Sequence, residues 1–229
     1  MAAESEIMMV QEANPPRWAE SILGLLLKPA DRETVSGDLL EEYRDTKRPA
    51  LGRPRADAWY IRHVLGYFWR SVWPCVVLLA LMFATHDLYN SFLNTGSATN
   101  ALLERVFTGA ALTAWVLVGI YGGRRTGRVS GGTLMTAGAQ ASAWLFMAVW
   151  WAFTTYPFAQ LMQTNPYWIA AWHYRPTDAS FERWLIEDNI GAFLFGGVAG
   201  LVAALVLGSI GGAAGRFLRP PTRGAARAF

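Results

Sequence analysis

Over the first seventy positions apolar residues recur at helical spacing, and beyond them they merge into long runs. Trp18, Ile22, Leu25 and Leu26 follow a 3.6-residue period that Pro29 ends, which predicts a first helix. Asn14 is its predicted cap, with Pro15 at a position where no N–H is needed. Asp31 opens a second helix, in which Val35, Leu39 and Tyr43 share a face. The segment from Lys47 to Pro54, rich in proline, glycine and basic residues, predicts a turn. A third helix starts near Arg55 and puts Ala58, Ile61, Leu65 and Phe68 on one side. The pattern carries it onward into the apolar region, with Pro74 as a kink point.

After Arg70 the pattern changes. A membrane span needs roughly 20 mostly apolar residues to cross about 30 Å of hydrocarbon, and four stretches meet that length: 71–90, 106–123, 133–156 and 189–215. No Asp, Glu, Lys or Arg occurs from Val129 to His173, an interval too long for one span. Pro157 and Pro166 are its predicted breaks, and residues 158–172 are expected to lie at the membrane interface. The predicted fold is therefore all-α. A small cytosolic three-helix domain at 15–70 precedes a four-helix transmembrane bundle at 71–217, with a disordered tail at 1–14 and a basic tail at 218–229.

Composition narrows the class further. Of the 229 residues 53% are hydrophobic and only 16% charged, where a soluble domain carries about 25% charge. The abundance of aromatics argues against disorder. A single cysteine, Cys75, precludes an internal disulfide or a cysteine zinc site. The first fourteen residues hold three glutamates and no basic residue, the opposite of a secretory leader.

Charge placement sets the orientation. With the N-terminus inside, the cytoplasmic connection and tail contain Arg124, Arg125, Arg128, Arg216, Arg219, Arg223 and Arg227 without one acid, while the outer connections have Arg105, Arg175 and Arg183. Seven against three follows the positive-inside rule, so both termini are expected in the cytoplasm. Arg124, Arg125 and Arg128 are candidates for anionic headgroup contact, worth roughly 1 kcal/mol per basic residue.

The fourth stretch repeats a small residue every fourth position: Ala192, Gly196, Gly200, Ala204, Gly208 and Gly212. Such a ridge lets backbones approach closely where the hydrophobic effect cannot drive association, either inside the bundle or against a partner. The two predicted returns to the cytoplasm, Gly119-Ile-Tyr-Gly-Gly-Arg-Arg and Gly211-Gly-Ala-Ala-Gly-Arg-Phe, look alike, as duplication or a common helix ending would make them.

Of the eleven Trp and eight Tyr, eight lie between positions 150 and 184: Trp150, Trp151, Tyr156, Tyr167, Trp168, Trp172, Tyr174 and Trp184. Their density predicts an outer aromatic belt; a cage for a cationic or lipophilic ligand is the alternative use. Chemistry is otherwise sparse. There is no GxSxG, Walker or dinucleotide motif, so no enzyme is expected. His86, Asp87 and His173 lack metal-ligand spacing, and neither metal nor cofactor is expected. Asp178, Glu182, Glu187 and Asp188 flank the fourth span rather than enter it, which argues against a pump. Ten basic against eleven acidic residues in the first seventy argue against nucleic-acid binding.

The most distinctive local sequence is Pro16-Arg17-Trp18-Ala19-Glu20, then Leu25-Leu26-Leu27-Lys28-Pro29, Gly37-Asp38-Leu39-Leu40-Glu41-Glu42-Tyr43-Arg44 and Ala58-Trp59-Tyr60-Ile61-Arg62-His63-Val64-Leu65. Over residues 15–70 it resembles the permease prefix domain of bacterial ABC exporter permeases of the macrolide-export, FtsX-like type. Those permeases carry a large domain between their first two spans, where this chain has only residues 86–104. The resemblance thus implies shared docking or regulation rather than shared transport. It designates Glu41, Glu42, Tyr43, Arg44, Trp59 and Tyr60 as partner-docking residues, unless they serve to hold the three helices together. The expected function is a non-enzymatic accessory or regulatory component of a transport-related inner-membrane assembly, its partners the bilayer and a membrane protein or a second copy. The alternative is a small oligomeric transporter or channel for a lipophilic or cationic solute, its conduit built from outer aromatics with Gln140, Thr154 and Gln160.

Overall fold

The computed structural model describes residues 14–174 and 178–218, with backbone alone at 156 and 157; the predicted tails, apart from Asn14 and Leu218, lie outside these residues. Helix is the only regular structure among the described residues. Helix α1 spans Arg17–Leu26 and α2 Pro29–Glu41. The break between them is dictated by Pro29, which holds Lys28 in an extended conformation (ψ 149°) and suits the first turn of α2. Instead of ending in the predicted turn, α2 widens into a π-helical segment, Glu42–Lys47, and continues through α3, Arg48–Leu51. The turn contracts to Gly52, whose φ of 73° strains any residue with a Cβ. Helix α4 then runs unbroken from Arg53 to Phe92, through Pro74.

The core of this N-terminal unit comprises Ala19, Leu23, Leu27, Leu39, Tyr43, Ala56, Tyr60 and Val64. The predicted faces of α1 and α4 are corrected by one or two positions. Trp18 is 53% exposed and Leu65 56% exposed, and the buried stripe of α4 is Ala56, Tyr60 and Val64. Tyr43 and Tyr60 decide this register by meeting edge to face, ring centres 5.9 Å apart, in the middle of the unit.

Forty residues at about 1.5 Å each make α4 roughly 60 Å long, twice the hydrocarbon thickness. Its first half belongs to the N-terminal unit and its second to the bundle, so no linker marks the predicted boundary at residue 70. Ile22 packs against both cores, and Leu26 lies in the bundle core with Val72, Leu79, Trp115 and Met135. Helix α5 covers Ala98–Thr126, capped by the Ser97 hydroxyl, which accepts from Asn100 N, and closed by Gly127 at φ 69°. Helix α6 covers Val129–Met162 and continues through Pro157, correcting the predicted break there. Irregular backbone comes only at residues 163–165, before the short α7, Pro166–Tyr174. Helix α8 covers Phe181–Phe217.

Three helices, α4, α5 and α8, are long and apolar enough to cross a membrane, which is compatible with a membrane protein. The predicted third span, α6, is not among them. It bears Thr133, Thr136, Gln140 and Thr154 and packs against α4, α5 and α8 together. Thr136 and Gln140 are buried against the neighbouring helices, which can satisfy them, while Leu145, Val149 and Phe153 form an exposed apolar face on the same helix.

Candidate functional site

The six docking residues expected on the N-terminal unit separate into two groups. Tyr43 and Tyr60 are fully buried and hold the unit together. The Tyr43 hydroxyl donates to Asp57 Oδ1 at 2.6 Å; burial, with that carboxylate beside it, pushes the phenol pKa up to about 12. Arg44 donates to the Asn14 side chain. Glu42 pairs with Lys47 at 3.0 Å, and Lys47 lies over the Trp59 ring, 5.3 Å from its centre. Glu41, Glu42 and Arg44 are exposed and Trp59 is half-buried, so these four face outward or flank the surface while the two tyrosines do not.

The α5–α6 turn is built on Thr126, which is fully buried. Its hydroxyl donates to Gly122 O at 2.8 Å and accepts from Arg128 N at 3.3 Å. Its carbonyl accepts from Arg32 Nη2 at 3.2 Å, a bond that ties α2 to the turn across 94 residues of sequence. Arg124 and Arg125 share an open groove of about 880 Å3 with Lys28, Leu117 and Tyr121; Arg128 lies outside it. The Arg125 Nε is buried and has no hydrogen-bond partner among the described residues.

The small-residue ridge of α8 also divides. Ala204, Gly208 and Gly212 are buried against α5 and α6, whereas Ala192 and Gly196 are exposed and Gly200 is half-buried. A Cβ on Gly208 would lie 2.7 Å from Thr136 Cβ, and one on Gly119 would lie 2.6 Å from Gly208 O. The two similar returns therefore pack on each other, backbone to backbone.

At the opposite end, α4, α6, α7 and α8 line a half-open cavity of about 310 Å3. Its walls include Phe83, Trp144, Trp151, Phe158, Trp168 and Phe193, with Asp87, Asn90, Gln140, Thr154, Asp188 and Asn189 as polar lining. Trp144 stacks on Phe193 at 4.5 Å and donates its Nε1 to Phe193 O at 3.1 Å. Asp87 accepts from two indoles, Trp150 Nε1 at Oδ2 and Trp151 Nε1 at Oδ1, each at 2.8 Å. Gln140 accepts from Trp115 Nε1 at 3.0 Å, Asn189 donates to Thr155 at 3.1 Å, and Trp168 donates to Asn90 O at 3.0 Å. Ala192 and Gly196 give the cavity its room, since they bring no bulk to its α8 wall, whereas Gly197 lets the Trp144 indole pack directly on the helix.

The structure thus joins Gln140 and Thr154 of the expected conduit but leaves Gln160 exposed and away from the cavity. Several residues expected in an aromatic belt turn toward protein: Trp150 and Trp151 toward Asp87, Trp168 and Trp172 into a cluster with Phe181 and the buried Trp184. His86 Nε2 sits 2.8 Å from Glu104 Oε2, and His173 Nδ1 lies 2.8 Å from Ile169 O within α7. No three His, Cys, Asp or Glu side chains converge as metal ligands among the described residues. The sequence reading missed the union of Asp87 with Asp188, because they lie on different helices a hundred residues apart. No periodicity signals such a pair; an acid beside a span end followed by a paired tryptophan elsewhere is the only hint. No family model, curated protein or solved structure matches this chain.

Proposed function

We propose that the chain is a non-enzymatic protein of the bacterial inner membrane, crossing it four times with both termini in the cytoplasm and serving as an accessory or regulatory component of a transport-related assembly. The observation that carries this reading is the attachment of the N-terminal unit to the basic end of the bundle. Arg32 donates to the Thr126 carbonyl, and Lys28 shares a groove with Arg124 and Arg125. A cytoplasmic partner that moves the unit would therefore pull on the α5–α6 turn. The basic groove and the unpartnered Arg125 Nε suit the phosphate of an anionic lipid, with Leu117 and Tyr121 beside its chains. Helix α6 acts as the fourth span because the other three shield its polar side chains. The likeness to a permease prefix domain supplies the regulatory role.

Reporter fusions at both ends, with membrane fractionation, test the placement; a periplasmic terminus or a soluble product overturns it. Mild-detergent purification of the full chain after cross-linking tests the accessory role. A stoichiometric membrane partner or a second copy is expected, and a lone monomer overturns it. The cavity favours the second reading, a small oligomeric transporter or channel for a lipophilic or cationic solute, which flux assays in a transport-deficient host test directly. Uptake or efflux unchanged by expression would sink it.

A further inference from the structure

The cavity at the far end of the bundle has a chemistry that the N-terminal unit and the basic turn leave unused. We propose that it binds a monovalent organic cation with an aromatic or alkyl body. The charged centre rests against Asp87, and the body lies among Trp144, Trp151 and Phe193. This inference rests on the membrane placement proposed above and is independent of the accessory role.

Charge comes first. Asp87 and Asp188 line the cavity, and among the described residues no Lys or Arg does. His86, which also lines it, is turned toward the Glu104 carboxylate, 2.8 Å away. Both Asp87 oxygens are fixed by indole N–H groups at 2.8 Å. These donors are uncharged: they orient the carboxylate, and among the described residues no Lys or Arg pairs with its negative charge. A charge in partly dehydrated surroundings is stabilised by an opposite charge far more than by dipoles alone.

The walls agree with the charge. Aromatic faces carry negative potential and attract organic cations, and Trp144 stacked on Phe193, with Trp151 edge-on to the same ring at 6.1 Å, presents such faces. An anion meets repulsion from rings and carboxylates alike. A neutral apolar body gains burial but leaves the Asp87 charge unanswered. The volume, about 310 Å3, is at the lower end for small-molecule sites, which suits one compact amphiphile and excludes a two-chain lipid.

Access points to the bilayer as the source. A second cavity of about 340 Å3 between α6 and α8 shares Trp151, Thr155, Asn189 and Phe193 with the first and extends to the exposed Ile186 and Ile190. A partition of these four side chains, braced by the Asn189–Thr155 hydrogen bond, separates the site from the apolar flank of the bundle. An amphiphilic cation dissolved in the membrane reaches Asp87 sideways once that partition swings.

The full chain in mild detergent, titrated with benzyltrimethylammonium and read by indole fluorescence, tests the inference, with neopentylbenzene as the uncharged comparison of the same shape. A saturable fluorescence change with the cation is expected. Asp87→Asn should weaken it about tenfold or more and leave the response to the hydrocarbon unchanged. Gly196→Leu, at a position where a Cβ meets nothing within 4 Å, should abolish binding of both by filling the void. Absence of saturable binding to the native chain, or equal cation affinity in Asp87→Asn, overturns the inference. If Asp87→Asn does not elute as a single species, Gly196→Leu decides: native affinity in that variant overturns the site. A native chain recovered in the soluble fraction refutes the membrane placement, whereas a membrane-embedded chain that does not bind refutes this inference alone.

Discussion

Helix α8 meets its neighbours in two ways along its length. Over residues 208–215 its glycines touch the backbone of α5 and α6, so Gly119 and Gly208 approach within the space of a missing Cβ. Over residues 192–197 the same kind of residue faces a cavity walled by Trp144 and Trp151. At the first end, small residues face other small residues, Gly119, Gly122, Gly123 and Gly132, and the helices close. At the second they face indoles, which hold the helices apart and leave space beside Ala192 and Gly196. A small residue therefore specifies contact or vacancy according to what stands across from it. The closed end is where the N-terminal unit attaches; the open end is where the Asp87 carboxylate lies, held by two indoles.

The largest expected effect breaks the closed end. Gly208→Val drives a side chain into Thr136 of α6, and backbone-to-backbone packing has no room to yield. A loss of about 3 kcal/mol is expected from overpacking, read as a lowered Tm in detergent by circular dichroism. Arg32→Ala is next. It removes the bond to the Thr126 carbonyl and should cost about 1–3 kcal/mol, with faster proteolysis of the N-terminal unit and little change at the far end. Proteolysis at the native rate would dissociate the unit from the turn.

Tyr43→Phe probes the unit itself and should cost about 1 kcal/mol for the lost bond to Asp57. Its pH signature is more specific. The phenol is held protonated in the fold, its pKa raised from 10.0 to about 12. Its stabilisation is therefore complete below pH 10 and is lost as pH climbs from about 10 through about 12. Alkaline unfolding followed by circular dichroism should be shallower in Tyr43→Phe than in the native chain; an identical profile contradicts the assigned environment. The smallest effect sharpens the contrast between the two ends. Gly196→Ala should change stability by no more than about 0.5 kcal/mol, because the added methyl meets open space. A loss comparable to that of Gly208→Val would show that the open end is in fact packed.

Helical class, the three long apolar helices and the division between a charge-rich beginning and an apolar remainder were legible from periodicity and composition, which are local properties. Proline gave the α1–α2 break correctly, because its effect on the preceding residue is steric and immediate. It misled at Pro157, where α6 stays helical within the bundle. The exposed or buried state of single aromatics was equally illegible. Tyr43, between Glu42 and Arg44, and Tyr60, two residues before Arg62, both fill the core, since the register between two helices is set by how their side chains interlock.

What the sequence determined alone was the set of helices and the small-residue ladder that lets them approach. Only the tertiary structure decided which rungs of that ladder close on backbone and which border a cavity, and that Asp87 and Asp188, one hundred and one positions apart, share its lining. The reason is physical: helix formation follows from each residue's own neighbours along the chain, whereas a cavity and the charge inside it exist only through atoms that packing brings together from distant segments.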